Sequence, residues 1–126
     1  MRVLNVEDNA MKHYQIKCAL EHCGAKEVDC CNNLQEGLEC LKETQGTEKQ
    51  YDLLVTDMNY PLIKGGVSNG QAGEKLIQRL RQEGIVIPTI ICSTRRFTGE
   101  GVLGSVWYNN LRDIEEDFRE ILSKLK

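Results

Sequence analysis

Tyr51-Asp52-Leu53-Leu54-Val55-Thr56-Asp57, followed by Met58-Asn59-Tyr60-Pro61, is the stretch from which the rest of the chain is read. Leu53 to Thr56 is an unbroken run of apolar or β-favouring residues, short enough for one buried strand. The run ends in a carboxylate, and Pro61 predicts that regular structure stops soon afterwards. In an open parallel sheet, ligands bind just beyond the carboxyl ends of the strands. Asp57 therefore stands where such a sheet places reactive chemistry.

Working outward, strands and helices alternate. Arg2-Val3-Leu4-Asn5-Val6 predicts a first strand with Glu7-Asp8 at its carboxyl end. A helix follows, with Asp8 or Asn9 as cap, Ile16, Ala19, Leu20 and Cys23 at helical spacing, and Gly24 as stop. Glu27 to Cys31 predicts a short second strand, and Asn32 or Asn33 caps a helix whose apolar positions are Leu34, Leu38 and Leu41. Beyond Asp57, the segment from Pro61 to Gly73 contains four glycines and predicts an irregular surface loop. A helix is expected from about Gly73 to Glu83, a fourth strand within 85–92 with Ser93 at its end, and a fifth over 105–108. Asn110 is expected to cap a last helix carrying Leu111, Ile114, Phe118, Ile121, Leu122 and Leu125. Five alternations predict an α/β fold: a parallel sheet with helices on both faces.

The 126 residues predict one domain, 1–126, and 40% hydrophobic with 28% charged residues is ordinary for a globular chain. A net charge of −3 without a basic block argues against direct nucleic-acid binding. No run approaches the length of a membrane span and no secretory series opens the chain, so a cytoplasmic protein is expected. The six cysteines lack CxxC spacing and are read as reduced thiols, mostly on apolar positions. His13 and His22 do not share a helical face and are read as surface residues.

Three carboxylates, Glu7, Asp8 and Asp57, thus gather at neighbouring strand ends, with the hydroxyl of Ser93 ending a further strand. Clustered like charges are costly unless a cation neutralises them, and a few hard oxygen ligands with room for water suit Mg²⁺ better than Zn²⁺. Asp57 is then a candidate nucleophile for a phosphoryl group, and Ser93 a donor to a phosphoryl oxygen. The plainer alternative is that Glu7 and Asp8 cap the first helix and Asp57 begins a turn.

The acid pair in Val6-Glu7-Asp8-Asn9, the Asp57-Met58-Asn59-Tyr60-Pro61 block and Ser93 at the end of a fourth strand resemble a response-regulator receiver domain, over essentially the whole chain from Val3 to Leu125. The resemblance implies a flavodoxin-like three-layer sandwich that takes a phosphoryl group from a phosphohistidine on a sensor histidine kinase or histidine phosphotransfer protein. It implies Asp57 as phosphoacceptor and Ser93 as switch hydroxyl. It also implies a Mg²⁺ ion held by Asp8 and Asp57, with Glu7 acting through water and Asn59 through its backbone carbonyl. Such a domain is a signalling phosphoacceptor, not an enzyme in the usual sense.

The chain departs from the family in three places. Receivers normally carry a Lys after the fifth strand; aligning on Leu111 puts Asn109 there, and no Lys lies between Lys75 and Lys124. A lysine ammonium ~4 Å from the phosphoryl site would supply on the order of 4 kcal/mol of attraction at surface-like dielectric, which Asn109 cannot replace. Lys64, Arg95 or Arg96 are candidate substitutes. Secondly, Gly65 stands where the family begins its third helix, yet the periodicity begins at Gly73, an apparent insertion of eight residues. Thirdly, the short interval from Ser93 to Asn109 predicts a shortened or absent fourth helix, and Thr94 narrows access to Asp57. A different class of reading, favoured by the missing Lys, is a pseudo-receiver that binds proteins independently of phosphorylation. A haloacid-dehalogenase-like phosphatase is disfavoured because Asn59 stands where its second Asp would be. A flavin site is disfavoured by the absence of a Ser/Thr-rich loop after the first strand.

Overall fold

The structure is a computed structural model and describes residues 1–96, 101–109 and 111–125. In chain order its elements are β1 (Arg2–Val6), α1 (Ala10–His22), β2 (Glu27–Cys31), α2 (Leu34–Thr44), β3 (Leu53–Thr56), β4 (Tyr60–Pro61), β5 (Ser68–Asn69), α3 (Ala72–Gln82), β6 (Thr89–Ser93), β7 (Gly104–Trp107) and α4 (Ile114–Leu122), which runs into a 3₁₀ turn at Ser123–Leu125. Five strands make one parallel sheet in the order β2-β1-β3-β6-β7. This is the flavodoxin-like winding, whose order reverses between its first and third strands and opens a crevice at their carboxyl ends.

Alternate side chains of the sheet serve two cores. Val3, Leu53, Val55 and Ile90 face α1 and α4, whereas Leu4, Val6 and Leu54 face α2 and α3. Every residue of β3 is buried, as its unbroken apolar run requires of a strand covered on both sides. The caps resolve to single residues: Asn9 accepts from the Lys12 amide at 2.9 Å and Asn33 from the Glu36 amide at 2.9 Å. Gly37 does not weaken α2 so much as let it approach the sheet, since a Cβ there would lie 3.0 Å from Val6 Cγ2.

Several expectations are corrected. Pro61 does not end regular structure: Tyr60 pairs with Asn69 and Pro61 with Ser68 in a small antiparallel ribbon. The glycine-rich segment is anchored at its base, with Tyr60 fully buried, its hydroxyl 2.8 Å from Thr56 Oγ1, and the Leu62 carbonyl accepting from the Gln35 amide at 3.0 Å. The last helix begins at Ile114, where Asp113 accepts from the Glu115 amide at 3.1 Å; Leu111 is 97% exposed, and the expected cap Asn110 lies outside the described residues. No helix occurs between β6 and β7 among the described residues, in line with the expected loss of the fourth helix. All six thiols are free; Cys31 and Cys92 are buried in the two cores and the half-buried Cys23 and Cys40 pack against them, so most cysteines do stand on apolar positions, with Cys30 exposed. His13 is half-buried, not a surface residue, with Nδ1 2.8 Å from Asn5 Nδ2. Among the described residues no helix is long and apolar enough to cross a membrane.

Candidate functional site

The site forms at the crevice between β1 and β3. Val6 pairs with Thr56, so the next residue on each strand, Glu7 and Asp57, stands at the same level. Backbone bonds hold both: the Glu7 amide donates to the Cys31 carbonyl at 2.9 Å and the Asp57 amide to the Val6 carbonyl at 3.1 Å. Asp8 follows at the surface, and carboxylate oxygens of Glu7, Asp8 and Asp57 all lie within 4.8 Å of one another. The three acids identified in the sequence are therefore brought together.

A fourth group, missed in the sequence, completes the cluster. Lys12, on the first turn of α1, turns its side chain inward, where it is 5% exposed. Its ammonium lies 2.8 Å from Glu7 Oε1 and 3.2 Å from Asp57 Oδ2, and donates to the Cys92 carbonyl at 2.8 Å. The Tyr108 ring centroid is 5.3 Å away, a cation–π distance. Asn9 closes the local turn, its amide donating to Glu7 Oε2 at 3.1 Å while its side chain caps α1. A signal for Lys12 existed: it stands four residues before Ile16, in register with the buried stripe of the helix.

Burial opposes the Lys12 charge, but Glu7 and Asp57 more than offset it, holding the ammonium pKa above the ordinary lysine value. Burial pushes the Glu7 carboxyl up from its usual range, and Lys12 only partly pulls it back. Glu7 Oε1 meets the Lys12 ammonium at 2.8 Å and has no other polar partner among the described residues, so this buried oxygen retains acceptor capacity. Asp57 is divided between partners: Oδ1 accepts from the Met58 amide at 2.6 Å and Oδ2 faces Lys12. The formal charge of three carboxylates and one ammonium is −2, and the donors are hard oxygens, a set that fits a divalent ion such as Mg²⁺.

The remaining candidates are placed differently. Ser93 is buried at the end of β6, beside β3, and its Oγ accepts from the Arg95 amide at 3.1 Å. Asn59 is exposed two residues beyond Asp57. Asn109 folds back locally, Oδ1 accepting from the Leu111 amide at 2.8 Å. The proposed substitute cations are engaged elsewhere or face solvent: Arg95 donates to the Gly70 carbonyl at 2.7 Å, Arg96 lies 4.3 Å over the Trp107 ring, and Lys64 is exposed. Gly73, the expected helix start, lies in the first turn of α3. A Cβ there would sit 2.2 Å from the Asp57 carbonyl oxygen, so α3 begins against the backbone that leaves β3.

No protein-family model matches the chain, and no curated protein matches it in sequence. Solved structures do match, and they define the class: the chain has the fold of response-regulator receiver domains. A LuxR-family DNA-binding response regulator from Staphylococcus aureus superposes with a TM-score of 0.71 at 19% identity, over 98% of this chain and 97% of that one. The chemotaxis protein CheY4 of Vibrio cholerae gives 0.70 at 17% identity, over 99% and 98%. The receiver domain of the histidine kinase CKI1 from Arabidopsis thaliana, complexed with Mg²⁺ and BeF₃⁻, gives 0.63 at 22%, over 97% and 89%.

Proposed function

We propose that residues 1–126 are a receiver domain of a two-component or phosphorelay system, with Asp57 as phosphoacceptor. The observation that carries this reading is the convergence of Glu7, Asp8 and Asp57 at the β1–β3 crevice, Asp57 ending the central strand. An Asp57 oxygen attacks the phosphorus of a phosphohistidine on a sensor histidine kinase or histidine phosphotransfer protein. The P–N bond breaks, its electron pair stays on the imidazole nitrogen, which takes up a proton, and an acyl phosphate remains on Asp57. Asp8 and Asp57, with Glu7 through water and the Asn59 carbonyl, would hold Mg²⁺. The ion would screen the charge of the incoming phosphoryl group. Ser93, one strand away from Asp57, is proposed as the hydroxyl that senses the modification. The chain acts as a signalling phosphoacceptor in the cytoplasm, with protein partners and without direct contact to nucleic acid or membrane.

Incubation with Mg²⁺ and acetyl phosphate or beryllofluoride, followed by mass spectrometry or magnetic resonance, tests this. Saturable modification that disappears in Asp57→Asn is expected; no uptake by the wild-type protein would support the second reading. That reading, a pseudo-receiver working by protein binding alone, is favoured by Asn109, whose side chain is tied to Leu111 where the family places a lysine.

A further inference from the structure

We propose that Lys12 is the tethered cation of this acceptor site, an ammonium delivered from α1 that holds the anionic phosphoryl group on Asp57. This rests on the acceptor reading of Asp57.

A lysine without a task in the interior extends its stem along the surface and keeps its head in water. Lys12 does the opposite, with its side chain 5% exposed and its ammonium between the ends of β1, β3 and β6. An ammonium offers three donors, and three acceptors surround this one: Glu7, Asp57 and the Cys92 carbonyl. The three do different work. The Cys92 carbonyl is neutral and fixed in the sheet, so it anchors the ammonium whatever the state of the acids. Glu7 is an acidic partner that modification of Asp57 leaves in place. Asp57 Oδ2 is the contact that changes, because an acyl phosphate removes the carboxylate charge and puts a phosphoryl anion just beyond it. The ammonium then meets the new anion from an anchored position. Among the described residues no other lysine or arginine pairs with Asp57.

A tethered charge makes a prediction that a packing role does not: cation and anion binding must move in opposite directions. In Lys12→Gln, which keeps a polar head but no charge, Mg²⁺ alone should bind about threefold tighter or more by titration calorimetry. Beryllofluoride, followed by fluorine magnetic resonance with saturating Mg²⁺, should bind about tenfold weaker or more. Lys12→Arg should restore most of the beryllofluoride binding. Circular dichroism checks the fold. Should Lys12→Gln not fold, Glu7→Gln/Lys12→Gln compared with Glu7→Gln alone isolates the same loss of beryllofluoride binding. Equal beryllofluoride binding by wild type and the neutral variant overturns the role of Lys12 and leaves Asp57 as acceptor. Parallel weakening of both ions makes Lys12 structural and also overturns it. No beryllofluoride uptake by the wild type overturns the acceptor reading, and this role with it.

Discussion

Asp57 is surrounded by contacts that the backbone alone would not announce. Its carbonyl oxygen lies where a side chain at position 73 would have to go, 2.2 Å from an added Cβ, and Met58 Cα is 3.0 Å from the same point. Both neighbours are backbone and move only with the strand end. Gly73→Ala should therefore destabilise the protein by ~1–3 kcal/mol through overpacking. In urea this reads as a lower midpoint at unchanged slope. Beryllofluoride uptake should fall as well, because Met58, whose amide holds Asp57 Oδ1, shares that contact. At this scale Glu7, Asp8 and Asp57 were readable as acids at strand ends. Lys12 is legible in the sequence only as a charge on an apolar stripe, 45 residues before Asp57 and far from the strand end where receivers carry their lysine. Asn109 was placed by alignment, but its engagement with Leu111 depends on a local turn.

Element boundaries show where capping chemistry overrides periodicity. Leu111 fits the apolar spacing of the last helix, yet the chain turns there and the helix starts three residues later, at Ile114, capped by Asp113. Because Leu111 is 97% exposed, Leu111→Lys should change stability by no more than ~0.5 kcal/mol. Asp113→Ala, which removes the acceptor for the first amides of α4, should cost ~1 kcal/mol. Thermal or urea unfolding of the two variants separates the observed start from one at Leu111, which would reverse the ranking. The segment after β3 carries a similar lesson. Its glycines announced irregularity, but pairing of Tyr60 with Asn69 and burial of the Tyr60 ring are tertiary events. The segment after β3 thus forms a ribbon, and α3 begins against the backbone of Asp57 and Met58 at Gly73.

The whole molecule places ionisable groups in its dry layers, and this sets its response to alkali. Burial pushes the Cys92 thiol up to about 12, with Lys12 pulling it back, and burial with the neighbouring Cys40 pushes Cys31 up to about 12. Burial raises Tyr60 as well, and Lys12 is held above its ordinary value by Glu7 and Asp57 despite its own burial. All four pKa values are higher in the folded state. Their contribution to stability is complete below the unfolded values and is lost as pH climbs through the folded ones. The unfolding temperature should thus hold to about pH 8.5, where unfolded thiols begin to ionise, and fall towards pH 12. Alkylation at pH 8 should spare Cys92 until the protein is unfolded. The alternation of strands and helices and the acids at the ends of β1 and β3 are legible in the residues alone, because periodicity and strand ends are local properties of the chain. Tertiary contacts settle which cation meets those acids and how the loop after β3 is tied down. Each of these depends on the direction a side chain takes towards an element distant in sequence: Lys12 reaches Asp57 and the Cys92 carbonyl only because α1, β3 and β6 meet at one crevice.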